Sequence, residues 1–233
     1  MKLSVISVTK AKTTSKKVTR PKPGAAIEPS WTLNQLKKNY PDAHCALNFE
    51  NPFQLLIATI LSAQCTDERV NIVTKDLFKT YKKAADLAKE KIEKIETAIR
   101  SAGFYKNKAK NIKGCCEILA TKYDNQVPKA LEELVALPGV GRKTANVVLG
   151  NAYGIATGVV VDTHVTRLSN RFGWVKIQDA VKIEQILNKM FAEPEWIMLS
   201  HYLISHGRAI CKARSPDCEN CFLATRCPRK GLN

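Results

Sequence analysis

From Trp31 to Gly207 the apolar residues return at steps of three and four, the spacing that collects side chains on one helix face, and only Val159-Val160-Val161 looks extended. Such a chain can bury its apolar surface by packing helices on helices, so the expected class is all-α. Punctuation separates the elements. Asn51-Pro52 supplies a cap and a first-turn proline for an apolar helix at 53–64, and Gly103 ends a helix at 91–102 whose apolar face is Ile92, Ile95 and Ile99. Further helices are expected at 31–40, 67–82, 104–123, 163–172, 179–191 and 194–207. The segment 150–158 should loosen, with a domain crossing at 154–158. No period of 20 to 50 residues points to a solenoid.

The most informative turn is Leu137-Pro138-Gly139-Val140-Gly141. A short helical pattern at 130–137 precedes it, and Ala145, Val148, Leu149 and Ala152 share one face of the helix that follows. Glycines at 139 and 141 let the backbone take positive φ and approach another group closely. The second helix then starts with unpaired N–H groups and a partial positive charge, which suits a phosphate. A plain αα-hairpin with a glycine turn carries the same pattern. Lys143 separates the two readings: at roughly 100° per residue it lies about 170° from the apolar stripe, so it faces solvent or a cleft and not its own core.

Thirty-seven basic residues against 21 acidic give a net charge of +16, which favours a polyanionic partner, nucleic acid first. Seven of the positive charges and no acid lie in residues 1–27, yet the rest of the chain still carries +9. Residues 1–29, rich in Lys, Thr, Ser and Pro, read as a disordered basic arm. No segment is apolar for long enough to span a bilayer and the start does not resemble an export signal, so an intracellular protein is expected. Eight cysteines would then stay thiols. Cys45, Cys65, Cys115 and Cys116 are scattered, whereas Cys211, Cys218, Cys221 and Cys227 gather as C-x6-C-x2-C-x5-C in a polar stretch with Lys212 and Arg214. Four such cysteines are a metal site. Zinc usually takes two short chelating hooks and only Cys218/Cys221 makes one; an iron-sulfur cluster on four thiolates is the competing choice. Asp162, at the start of the helix at 163–172, reads by itself as an N-cap.

Residues 137–150 resemble, almost letter for letter, the helix-hairpin-helix of the endonuclease III family of DNA base-excision glycosylases, including the lysine that the family uses as nucleophile. The resemblance extends over residues 30–229. It implies a [4Fe-4S] cluster on the four clustered cysteines, with Lys212 and Arg214 presented to phosphates. It pairs Lys143 with Asp162 of Val161-Asp162-Thr163-His164-Val165 as the catalytic groups, although the 19-residue separation is one longer than the family's usual spacing. Leu61-Ser62-Ala63-Gln64-Cys65-Thr66-Asp67 matches the family segment whose glutamine enters the base stack, and Gly103 to Ala109 matches the segment with a second, bulky wedge, here Phe104. Read from the residues alone, Gln64 would be a surface amide and Phe104 a core side chain.

By the same resemblance, Leu137, Gly139, Gly141 and Arg142 touch DNA; His164 either orients Asp162 or touches a phosphate, and His201 and His206, on an apolar helix, read as structural. Two helical domains are implied: a six-helix barrel at 46–157 bearing the hairpin, and a second domain built from 30–45 and 158–233 with the cluster. The implied partner is double-stranded DNA with damaged bases or abasic sites, bound by a monomer. The implied activity is a bifunctional glycosylase and apurinic/apyrimidinic lyase for oxidised pyrimidines. An adenine-type mismatch glycosylase and a non-enzymatic DNA-binding module are the alternatives, and the first of these usually lacks the lysine.

Overall fold

The computed structural model describes residues 25–232, with eleven α-helices, two 3₁₀ turns and no strand among them. Helix α1 (Pro29–Asn39) starts on Glu28, whose carboxylate accepts from the Ser30 and Trp31 amides. Helix α2 (Pro52–Leu61) starts on Asn51, whose Oδ1 accepts from the Gln54 amide at 3.0 Å. Every residue of α2 after the proline is buried, so it is the central rod of the first core. Helix α3 (Asp67–Thr80) is capped by Thr66. Next come α4 (Ala84–Lys89), α5 (Ile92–Ile99), a 3₁₀ turn (Arg100–Ala102) and the long α6 (Tyr105–Lys122). The hairpin is α7 (Leu131–Val135) and α8 (Arg142–Tyr153). The chain then continues through α9 (Thr163–Arg171), α10 (Ala180–Met190), a 3₁₀ turn (Glu193–Glu195) and α11 (Trp196–Ala209).

Burial collects in two clusters. One contains Leu47 to Leu149 and is filled by Leu55, Leu56, Ile57, Ile95, Ile99 and Leu119 among others. The other joins Ile27, Leu33 and Leu36 to residues from Val159 to Leu223, with Phe172, Trp174 and Phe191 at its centre. Their rings meet edge-on, Phe172 and Trp174 at 5.0 Å and Trp174 and Phe191 at 5.4 Å between centroids, the geometry their quadrupoles prefer.

Several expectations need correction. The basic arm does not reach residue 29: the Ile27 side chain is buried, its amide donates to Phe172 O, and its carbonyl accepts from Trp174 Nε1 at 2.8 Å. Residues 1–24 lie outside the described residues. The expected loosening at Gly150 is displaced, because α8 runs on to Tyr153 and stops at Gly154, whose φ of +67° favours a residue without a Cβ. Helix α4 was not anticipated, since six residues are too few to show a period. Val159 to Val161, expected to be extended, is neither helix nor paired strand. Its amides are satisfied by side chains instead, Val159 N by Asn188 Oδ1 and Val160 N by Ser200 Oγ. No helix of the described residues is long and apolar enough to cross a membrane.

Candidate active site

The hairpin turn divides its labour between two glycines. Gly139 has φ +76°, and a Cβ there would stand 2.8 Å from Asn111 Cβ, so both backbone and packing require glycine. Gly141 differs from expectation: at φ −89° it is extended, and it serves as the N-cap of α8. No side chain caps that end and nothing lies within 4 Å of where its Cβ would be, so the first amides of α8 open onto free space. Leu137 is only 4% exposed and belongs to the first core; its side chain is therefore not a surface contact, and only the backbone of the turn is presented.

Lys143, the second residue of α8, is exposed, while Ala145, Val148 and Leu149 on the opposite face are buried. It borders a cleft of about 150 Å³, far larger than the ~10–15 Å³ needed to admit one water. Asp162 borders the same cleft from the start of α9, where its Oδ1 caps the helix by accepting from Val165 N at 2.8 Å. Capping and a place in the cleft therefore coexist in one carboxylate. Deeper polar lining comes from Asn151 and His201, joined at 2.7 Å between Oδ1 and Nε2. Burial, with a smaller contribution from His44, pushes the His201 imidazole down to about 4, so it is neutral at pH 7.

Arg142, expected to touch DNA, is also engaged within the protein. Its Nε and Nη2 fork onto Glu184 at 2.9–3.1 Å, and Asn146 Nδ2 donates to the same carboxylate at 3.1 Å. Thr157 Oγ1 completes the chain by donating to Asn146 Oδ1 at 2.9 Å. Glu184 is buried on α10, so one carboxylate from the second core holds the residues on either side of Lys143. Sequence reading missed it. The one local signal was that Glu184 falls on the apolar stripe of α10 with Ile183 and Leu187, which marks it as buried without showing its partners.

Gln64 and Phe104 both project. Each has a left-handed backbone, φ +53° and +48°, and each is exposed, Phe104 at 67%. A bulky residue in that region is strained by about 1–2 kcal/mol. His164 packs against Gly207, with Nδ1 3.1 Å from Arg167 Nη2, and burial lowers its pKa. Lys212 and Arg214 are exposed.

Cys211, Cys218, Cys221 and Cys227 border one cavity together with Arg171 and His206. They ring it without converging, for among the described residues no three Cys, His, Asp or Glu side chains meet closely enough to hold a single ion. A ring of four thiols around a space fits a cluster with several metal atoms better than one tetrahedral zinc. Electrostatics agree. Burial and the neighbouring thiols push the Cys227 thiol up to about 11, so a thiolate there needs a bound cationic group to balance it. Arg171 anchors the start of the loop: Nη1 donates to Cys211 Sγ at 3.3 Å and to Lys212 O at 2.7 Å, and Nη2 to Ala213 O at 2.8 Å.

Comparison with known proteins agrees with this geometry. The model for HhH-GPD superfamily base excision DNA repair proteins matches residues 57–193, more than half the chain. The model for the iron-sulfur binding domain of endonuclease III matches residues 211–227, from the first clustered cysteine to the last. Endonuclease III of Synechocystis sp. is 54% identical over 193 residues, 83% of this chain and 88% of that protein. A solved non-covalent endonuclease III–DNA complex shares 46% identity with a TM-score of 0.82 over 85% of this chain and 93% of its own. A trapped endonuclease III–DNA covalent intermediate matches with the same identity, TM-score and coverage. A buried carboxylate brace, a lysine and an aspartate on one cleft and a cysteine-ringed cavity thus sit on a known scaffold, and the chain belongs to the endonuclease III family of iron-sulfur DNA glycosylases in base excision repair.

Proposed function

We propose that the chain removes oxidised pyrimidines from double-stranded DNA and then cleaves 3′ to the resulting abasic site, with Lys143 as nucleophile and Asp162 as its ionised partner. The observation that carries this reading is that both side chains border one cleft, although they belong to helices on different cores. The relative trapped in covalent complex with DNA supports chemistry through a protein nucleophile.

As the glycosidic bond weakens, positive charge grows on the sugar, and the Asp162 carboxylate stabilises it. The Lys143 amine attacks C1′ with its lone pair; the bond to the base breaks, and the base leaves with that electron pair and takes a proton from water. The attacking nitrogen gives up a proton to Asp162 or to water, the C1′–O4′ bond opens as O4′ takes a proton, and nitrogen and C1′ form a protonated imine. Loss of a 2′ proton then expels the 3′ phosphate by β-elimination, and water releases the lysine.

Gln64 and Phe104 would enter the stack that the extruded nucleotide leaves, an exchange that costs about a few kcal/mol. The open amides at Gly141 and the start of α8, with Lys212 and Arg214, would take phosphates. Cys211, Cys218, Cys221 and Cys227 would hold a [4Fe-4S] cluster, which supplies a covalent frame for that loop. DNA would lie in the groove between a domain at 46–157 and one formed by 30–45 with 158–233, and the site of action would be intracellular, the cytoplasm or nucleoid if the cell is bacterial.

Borohydride trapping on DNA with an abasic site tests the reading. The intact protein should yield a covalent complex, and Lys143→Gln should yield none while still binding DNA. Trapping that survives Lys143→Gln would move the nucleophile elsewhere.

A further inference from the structure

The two projecting residues share an anchor. Lys108, in the first turns of α6, is only 5% exposed, and its ammonium has no carboxylate partner. It donates instead to two backbone carbonyls, Leu61 O at 2.8 Å and Ala102 O at 2.9 Å. These are the last residues of α2 and of the 3₁₀ turn, so Lys108 fills two helix-end acceptors that have no partner within their own element. Their carbonyl dipoles also compensate its charge.

Each carbonyl lies a short step before a projecting side chain. Leu61 precedes Gln64 by three residues, and Ala102 precedes Phe104 by two. In both stretches the backbone turns into the left-handed region at the projecting residue itself. Burial lowers the Lys108 pKa, which reflects the cost of keeping a charge there. A methionine would fill the same space without that cost, so packing alone gives no reason for an ammonium. What an ammonium adds is two directed donors, 47 and 6 residues from their acceptors in sequence, that fix one loop against the other.

We infer that Lys108 is a positioning residue for nucleotide extrusion: it sets the spacing between Gln64 and Phe104 so that both enter the duplex together. This rests on the reading of those two residues as wedges. Lys108 is not among the residues that line the cleft and takes no part in the bond-breaking steps of this scheme, so its removal should affect opening of the duplex and leave cleavage of an already unpaired nucleotide intact.

The experiment compares a thymine-glycol lesion paired in a duplex with the same lesion in an unpaired single-nucleotide bulge, under single-turnover conditions. Lys108→Met should slow excision from the paired duplex about ten-fold or more, the scale set by losing charged hydrogen bonds, and should leave the bulge nearly unaffected. A 2-aminopurine opposite the lesion should show a smaller fluorescence rise on binding, a signal that general loss of structure would not shift selectively. Melting and iron content check folding, and Lys108→Gln, which keeps an amide donor, replaces the methionine variant if that one fails to fold; it should show a smaller but still duplex-selective defect. Equal losses on both substrates, or no loss on the paired one, overturn the inference. Gln64→Ala and Phe104→Ala separate it from the reading beneath it: if they show no duplex-selective defect, the wedge reading fails, whereas if they show one and the Lys108 variants do not, only the role of Lys108 fails.

Discussion

Gly158→Ala tests the brace that holds Lys143. A Cβ at 158 would lie 2.1 Å from Glu184 Oε1 and 3.0 Å from its Cδ. The Glu184 side chain is 7% exposed, so it cannot swing into solvent and must retreat by roughly 1 Å to restore ordinary contact distance. That retreat breaks the fork from Arg142 and the bond from Asn146. Hydrogen bonds to charged groups are worth about 1.5–3 kcal/mol, but Arg142 is 44% exposed and water re-solvates it, which reduces its share to about 1 kcal/mol. Asn146 is buried and adds about 1.5 kcal/mol, the low end of that range, and the lower entropy of the unfolded alanine chain returns about 0.5 kcal/mol. The net loss is then about 2 kcal/mol, or roughly 4–8 °C in melting temperature for a chain of this size. Thermal and urea unfolding measure it, and borohydride trapping should slow in parallel because Arg142 and Asn146 flank the lysine. The control is the same substitution in a Glu184→Ala background, where no carboxylate has to move and the added cost should fall below about 0.5 kcal/mol. An equal cost in both backgrounds, or none in either, would refute the argument.

The half-buried His201 should weaken the protein in mild acid. Its folded pKa of about 4 lies below the ordinary 6.5, so stability is unaffected above that value and falls as pH drops towards 4, by at most about 1.4 kcal/mol per unit; His201→Gln should flatten that limb of the unfolding profile. Arg171→Met should lower bound iron and visible absorbance, since it frees Cys211 Sγ and the Lys212 and Ala213 carbonyls; unchanged iron content would show that the loop holds itself. Phe104→Gly should leave the melting temperature unchanged or raised, because a left-handed backbone suits glycine, while affinity for lesion-containing duplex falls; a large drop in melting temperature would mean that the ring packs in the fold.

The hairpin was readable because its information is local: a Pro-Gly-x-Gly turn and an apolar stripe fix where Lys143 points. The N-caps at Asn51 and Asp162 were readable for the same reason. Phe104 shows where residue type misleads, since a phenylalanine in a helical pattern suggests core, yet Gly103 and Phe104 turn the chain so that the ring stands outside. Glu184 and Ile27 escaped because their partners lie 42 and about 147 residues away, and no local pattern encodes who meets whom at that distance. The engagement of Arg142 by Glu184 was hidden for the same reason.

The link from the first core to Asp162 runs through Val159 and Val160, whose amides hang from Asn188 and Ser200. This crossing is clipped in place like a cable on two hooks, one from α10 and one from α11, and the hooks are a single amide and a single hydroxyl. The carboxylate's aim is therefore entrusted to two side chains that carry none of the chemistry, one of them, Ser200, on the wall of the same cleft, and trimming either would be felt first as a misdirected charge and only afterwards as a looser fold.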